Sequence, residues 1–272
     1  MSETTAPVPS PGRAVEPAVP TGDALTGAYL LGLADDALVY AQRLAEWLTH
    51  APQIEEDMAL ANISLDLLGQ ARGLYARIGE LDGTGRTEDD FAMLRDERQW
   101  RNVQLVEQPR GDFGVEMARL LWFSAYQREL YAAVPAGAEE TFRAVAAKAA
   151  KEVAYHHDHA HQWVLRLGDG TDESHARMKG GLKAVLPYLA ELFDDDPVSV
   201  AAAQAGVGVL PSSLHGAAAA RVGAVVDAAT LTLPEASPWR SRGGRQGVHS
   251  RPMGSLLAEM QHLARSHPGA TW

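Results

Sequence analysis

A polar line inside an apolar helix constrains this chain more than any other feature. Residues 52–81 read PQIEEDMALANISLDLLGQARGLYARIGEL, with a proline suited to a first helical turn and three acidic residues after it. The apolar positions recur at helical spacing on a face so wide that we expect it to be covered on more than one side. They are Met58, Ala61, Leu65 and Leu68, widened by Leu60, Ile63, Leu67 and Leu74.

Three polar residues run through the same apolar segment. Asn62, Asp66 and Gln70 stand at i, i+4 and i+8, so they share one line of the helix surface. A buried carboxylate without a partner is costly, and Asp66 therefore requires a neighbouring helix or a metal ion as its partner. A satisfied polar network between helices is the favoured interpretation, and a metal ligand is the alternative.

Composition excludes several classes of protein. The 272 residues include no cysteine, which rules out disulfides, iron–sulfur clusters, thiolate zinc sites and cysteine nucleophiles in this chain. The formal net charge of −11 argues against nucleic acid as a partner, because phosphate contacts need clustered basic residues. Alanine and leucine dominate, and β-branched runs are scarce, so the composition favours helix.

The N-terminal residues differ in composition from the rest. Residues 1–22 are proline-rich and lack an apolar core, which predicts a disordered tail and not a secretory signal. Residues 23–272 are interpreted as one helical domain. No run of about 18 apolar residues occurs, so we expect no membrane span and a cytoplasmic protein.

Four long helical patterns predict the architecture. They form two antiparallel pairs joined by a long connection at residues 82–111, which is typical of an all-α, ferritin-like four-helix bundle. A helical C-terminal extension follows, and no sheet is expected. The four bundle helices are predicted at residues 23–50, 52–81, 112–134 and 138–167, and the extension at residues 172–193, 212–231 and 252–266.

The ligand set of a di-iron bundle is incomplete. Such a centre needs Glu-x-x-His on two helices and a Glu on each of the other two. Gln70 stands where a histidine would be useful, and Glu152 and His156 are one residue too far apart. The single Glu-x-x-His, Glu259 to His262, fits an amphipathic surface helix. The spacing instead predicts that Lys148, Glu152 and His156 form one polar stripe that pairs with the Asp66 line.

A histidine cluster and a basic loop remain as candidate sites. His157 and His161 are i, i+4 and could bind a divalent cation on an exposed face, although His156, His157, His159 and His161 go round the helix. A solvated face with one buried histidine is the favoured interpretation. Residues 240–247, RSRGGRQG, could contact an anionic ligand or an acidic partner, but a flexible basic loop is favoured.

Four separated segments carry a family resemblance. Residues 50–72, 96–113, 151–178 and 256–272 closely resemble, in order, the C subunits of the bacterial ring 1,2-phenylacetyl-CoA epoxidases. The segments read HAPQIEEDMALANISLDLLGQAR, DERQWRNVQLVEQPRGDF, KEVAYHHDHAHQWVLRLGDGTDESHARM and LLAEMQHLARSHPGATW. The likeness extends over residues 30–272.

The resemblance implies a non-catalytic subunit of a multicomponent monooxygenase of phenylacetate catabolism. In that family a catalytic A subunit holds a di-iron centre, and other oxygenase subunits and a reductase with NADPH, flavin and iron–sulfur centres complete the hetero-oligomer. When the A-subunit motif is laid on this chain, Leu67 and Gln70 occupy one Glu/His pair and Val153 and His156 the other. Only His156 is retained, so no catalytic, cofactor-binding or metal residue is assigned here.

Two alternatives and one interface hypothesis stay open. The chain could be a catalytic di-iron or di-manganese oxygenase that uses Asp36, Asp66, Glu152 and His156. It could also be a stand-alone, histidine-rich, metal-binding helical protein. For a subunit, the connection at residues 82–111 and three aromatic residues are candidate partner contacts, with ordinary core or surface as the alternative for each. The aromatic residues are Trp100, Trp122 and Tyr126.

Overall fold

The computed structural model describes residues 19–235 and 237–270, and within these the chain is all-α. No strand occurs in the described part, and the predicted ferritin-like bundle with a helical extension is confirmed. The helices are α1 (Gly22–Ala45), α2 (Ile54–Leu81), α3 (Glu88–Met93), α4 (Phe113–Ala132), α5 (Glu140–Gly168), α6 (Asp172–Leu189), α7 (Pro197–Gln204), α8 (His215–Ala228) and α9 (Arg251–Ser266).

The bundle consists of α1, α2, α4 and α5. Helix α1 packs along α2, α4 packs along α5, and α2 closes the bundle against α5. Helix α2 begins where the sequence predicts, with Glu55, Glu56 and Asp57 in its first turn, where negative charge stabilises the positive end of the helix dipole. The tail predicted at residues 1–22 falls outside the described residues as far as residue 18, and α1 begins at Gly22.

The two apolar lines of α2 differ in their exposure to solvent. Leu60, Ile63 and Leu67 are fully buried, whereas Met58 and Leu65 are each 63% exposed. The expectation that the whole wide face would be covered is therefore wrong for this chain. The cause is geometric, because α1 and α5 cover only one side of α2 and the second line points away from both.

The connection between the helix pairs, residues 82–111, packs onto the bundle. Thr87 caps α3, accepting a hydrogen bond from the Asp90 N–H in a reciprocal capping box. Two short 3₁₀ turns follow, and Trp100 between them is fully buried. Trp122 and Tyr126 on α4 are buried as well. The hypothesis that these three aromatic residues contact a partner is wrong, since they belong to the core of the chain itself.

The C-terminal extension contains one helix that the sequence pattern did not predict. Asp196 accepts hydrogen bonds from the backbone N–H groups of Val198 and Ser199 and so caps α7. Helix α6 packs on α4, and α8 packs on α4 and α5. Among the described helices, none is long and apolar enough to cross a bilayer.

Candidate functional site

The polar line of α2 meets a polar line of α5 beside the bundle centre. Asp66 Oδ2 lies 3.0 Å from His156 Nε2, which confirms that this carboxylate has its partner on a neighbouring helix. A carboxylate only accepts hydrogen bonds, so His156 donates from Nε2. Burial lowers the pKa of His156, and the hydrogen bond to Asp66 opposes that shift. The imidazole is therefore neutral at pH 7.

Gln70 links three helices one turn further along α2. Its side-chain oxygen accepts hydrogen bonds from the Tyr131 hydroxyl at 2.8 Å and from Gln127 Nε2 at 3.3 Å, both on α4. Its Nε2 donates to Glu152 on α5 at 3.3 Å, and the other Glu152 oxygen pairs with Lys148 at 2.9 Å. The predicted pairing of the Lys148–Glu152–His156 stripe with the Asp66 line is thus confirmed.

The α4 members of this network were not predicted from the sequence. Gln127 and Tyr131 are i, i+4 on a helix that is otherwise rich in large apolar residues, and both are buried. Burial together with the neighbouring carboxylates raises the pKa of Tyr131 well above its usual value, so the hydroxyl keeps its proton and acts as a donor. A buried polar residue within an apolar helix was the available signal.

These residues do not fit a di-metal centre. Leu67 and Val153, at the positions where the motif of the catalytic subunit would place glutamates, are fully buried apolar side chains. Gln127 Oε1 is buried without a hydrogen-bond partner, but one amide oxygen cannot replace the missing carboxylates. Across the described residues, no three His, Asp or Glu side chains are grouped to hold a metal ion.

The histidine cluster does not form an exposed pair. His157 is buried against Ser124 of α4, with Nδ1 3.2 Å from Oγ, and burial lowers its pKa to about 4. His156 is buried too, so the expectation of one buried histidine is wrong. His159 faces α2, with Nε2 3.1 Å from Glu56 Oε2. The proposed cation site of His157 and His161 therefore lacks an exposed His157.

A second polar region lies along α1. Asp36 is buried, and it accepts hydrogen bonds from Arg245 Nη2 at 2.7 Å and the Val103 N–H at 2.8 Å. Burial raises its pKa to about 6, and Arg245 opposes the shift. The interpretation of residues 240–247 as a flexible basic loop is thus wrong for Arg245, whose charge belongs to the core.

The neighbouring Asp35 organises the connection before α4. It is fully buried, forms an ion pair with Arg95, and accepts hydrogen bonds from the Tyr75 hydroxyl at 2.5 Å and the Arg101 N–H at 2.7 Å. Glu107 has the same role further along, where it accepts hydrogen bonds from the Ser250 N–H and hydroxyl. These carboxylates fasten the connection and the C-terminal loop to the bundle.

The geometry defines a class: a ferritin-like helical bundle whose centre is filled by hydrogen-bonded side chains that lack a di-metal donor set. A sequence model of the family described as "Phenylacetic acid catabolic protein" matches residues 18–272. The chain is also 43% identical over 245 residues to the C subunit of the 1,2-phenylacetyl-CoA epoxidase of Escherichia coli (strain K12), covering 90% of this chain and 98% of that protein. The chain belongs to the phenylacetic acid catabolic protein family.

Proposed function

We propose that this chain is a structural, non-catalytic subunit of a cytoplasmic 1,2-phenylacetyl-CoA epoxidase of aerobic phenylacetate catabolism. It would pair with a di-iron catalytic A subunit and hold the helices of that subunit in place. A reductase subunit with NADPH, flavin and iron–sulfur centres would supply the electrons. In this proposal the chain binds no cofactor of its own.

The single observation that carries the proposal is the near full-length match to a protein named as the C subunit of this enzyme. The filled bundle centre supports it. Gln70 forms hydrogen bonds with both Glu152 and Tyr131, and His156 binds Asp66. Breaking these pairs to bind metal would leave buried polar groups without partners.

Metal content tests the non-catalytic part of the proposal. We expect the chain, purified alone after growth with iron and manganese, to contain close to no bound metal and to leave phenylacetyl-CoA unoxidised. About two metal ions per chain would instead indicate a dinuclear site and support a catalytic role. Co-expression with the catalytic subunit tests the pairing, and we expect the two chains to co-purify as a stable complex.

A further inference from the structure

A small polar cavity lies where α1, α4 and α7 meet. Its volume is about 90 Å³. Tyr29 of α1 and Tyr126 of α4 are buried in its wall, whereas Arg101 and Asp196 also line it but are only half-buried. The half-buried residues show that the cavity opens to solvent on their side. A small molecule can therefore reach the two buried tyrosines from the surface.

The hydroxyl of Tyr126 has no hydrogen-bond partner within the protein. The side chain is 2% exposed, and its ring packs edge-on against Phe193 with the ring centroids 5.8 Å apart. Among the described residues the hydroxyl forms no hydrogen bond. Burial raises the pKa of Tyr126 well above its ordinary value, so the hydroxyl keeps its proton. A buried donor without an acceptor is costly, which indicates that water or a bound molecule supplies the acceptor.

Two further groups of the wall have unused donors. The Tyr29 hydroxyl accepts a hydrogen bond from the Val209 N–H at 3.0 Å, and burial raises its pKa to about 12, so it stays protonated. Its own hydrogen has no acceptor in the described part of the chain. Arg101 donates from Nη1 to the carbonyl oxygens of Arg98 and Trp100, at 2.8 and 2.7 Å, whereas Nε and Nη2 have no acceptor there.

The charges around the cavity are only partly matched. Two guanidinium groups line it, and that of Arg245 is paired with Asp36 at 2.7 Å. Arg101 forms no ion pair with any described residue. The negative charge in the wall belongs to Asp196, whose Oδ1 accepts two hydrogen bonds from backbone N–H groups at the start of α7. Because Asp196 is half-buried, solvent screens its charge, and Arg101 remains available to an anion.

The donors and the volume together define a ligand class. An apolar cavity of about 150 Å³ holds benzene, so about 90 Å³ accommodates a ligand of about four non-hydrogen atoms. The planar fork of a guanidinium group matches the two oxygens of a carboxylate, and hydroxyl donors bind a charged oxygen more strongly than a neutral one. A carboxylate of this size has one or two carbon atoms.

We propose that the cavity between α1, α4 and α7 binds a small monocarboxylate anion such as acetate. Arg101 pairs with the carboxylate, and the hydroxyls of Tyr29 and Tyr126 donate hydrogen bonds to its oxygens. The inference goes beyond the proposed function and does not depend on it.

Acetate is the probe in the first test. In titration calorimetry of the full-length chain at pH 7.5, with ionic strength balanced by chloride, we expect a dissociation constant of about 1 mM, within the limit for so small a ligand. Tyr126→Phe should weaken binding at least about 10-fold, because it removes a hydrogen bond to a charged oxygen. The matched control is Tyr155→Phe on α5, where the tyrosine is 55% exposed, and affinity should change by about twofold or less.

A second variant tests the charge of the ligand. Asp196→Asn keeps an oxygen that can cap α7, since asparagine is also a preferred N-cap residue, but it removes the negative charge from the wall. We expect this variant to bind acetate about threefold more tightly than the wild type. Benzoate, which is larger than the cavity, should bind the wild type at least about 10-fold more weakly than acetate.

The remaining outcomes would overturn the inference. A wild-type chain that binds no acetate at about 100 mM does not contain a carboxylate site. Equal affinities of the wild type and Tyr126→Phe would place the acetate elsewhere on the surface. If glycine binds more tightly than acetate and Asp196→Asn abolishes that binding, the cavity recognises an ammonium group through Asp196. Circular dichroism spectra of Tyr126→Phe should match the wild type, because the hydroxyl has no partner in the described protein.

Discussion

The two polar regions of the bundle use their charges differently. Along α1, Asp35 and Asp36 are almost completely buried, and each is matched by a guanidinium group and a backbone N–H. Between α2 and α5, the side chains of Asp66 and Glu152 are 35% and 15% exposed to solvent. Asp66 is matched by a neutral histidine, and Glu152 by an amide and an exposed lysine.

The difference shows where charge determines the structure. A fully buried carboxylate is tolerated only with a charged partner and further hydrogen bonds, so Asp35 and Asp36 fix the segments that supply those groups. The partners come from irregular segments, at Arg95, Arg101 and Arg245, whose own helical content is low. At the bundle centre the partners are side chains on regular helices, so the network there does not fix an irregular segment.

The largest expected effect lies on the α1 side. Replacing Arg245 by alanine leaves Asp36 buried without its cation and also removes hydrogen bonds to the Gly32 and Arg101 carbonyl oxygens. We expect the free energy of unfolding at pH 7.5 to fall by about 3–5 kcal/mol, the usual cost of breaking a buried ion pair. Urea unfolding followed by circular dichroism measures this change.

The matched control is an arginine of the same loop. Arg240 pairs with Asp194 at 3.4 Å, and both side chains are nearly half exposed. Replacing Arg240 by alanine should cost about 1 kcal/mol or less, because solvent screens such a pair. A loss below about 1 kcal/mol for Arg245→Ala as well would contradict the buried-pair argument.

These two regions also differ in how far the sequence predicts them. The Asp66–His156 and Gln70–Glu152 contacts follow from helical spacing, because i, i+4 positions on facing helices must meet. The Asp36–Arg245 pair joins residues that are 209 positions apart, through a loop without periodicity. Helical periodicity does not predict where such a loop contacts the bundle. The sequence does indicate, however, that two adjacent aspartates inside an apolar helix, Asp35 and Asp36, need basic side chains as partners.

The sequence likewise does not predict that the second apolar line of α2, which contains Met58 and Leu65, is exposed to solvent. Periodicity shows that Met58 and Leu65 share a line with each other and that Leu60 and Leu67 share another. It does not show which line faces the neighbouring helices. Only packing against α1 and α5 distinguishes them, and a line covered by another chain has the same pattern as a line covered by its own.

An intermediate effect is expected from the buried histidine of α5. The pKa of His157 is lowered from its ordinary value of 6.5 to about 4, because burial disfavours the charged ring. The unfolded chain therefore binds a proton more readily than the folded chain between these pH values. The stabilisation is complete above pH 6.5 and is lost as the pH falls towards 4. We expect this single group to remove about 2 kcal/mol of stability over that range.

A neutral replacement isolates this contribution. Between pH 6.5 and pH 4, we expect the free energy of unfolding of His157→Gln to fall by about 2 kcal/mol less than that of the wild type. Urea unfolding series at matched ionic strength measure this difference. His262, exposed on α9, provides the control, and His262→Gln should keep the wild-type slope. Parallel slopes for wild type and His157→Gln would show that His157 is not held neutral by its surroundings.

The smallest effects are expected for two substitutions in the bundle-centre network, one at its buried end, Tyr131, and one at its exposed end, Lys148. Tyr131→Phe removes the buried 2.8 Å hydrogen bond to Gln70 and should cost about 1 kcal/mol, since Gln127 still donates to the same oxygen. Lys148→Ala removes a pair whose lysine side chain is 72% exposed and should cost about 0.5 kcal/mol or less. Urea unfolding at pH 7.5 measures both. If Lys148→Ala costs as much as Tyr131→Phe, the outer ion pair stabilises the α2–α5 contact as strongly as the buried hydrogen bond, and the contrast between the two regions weakens.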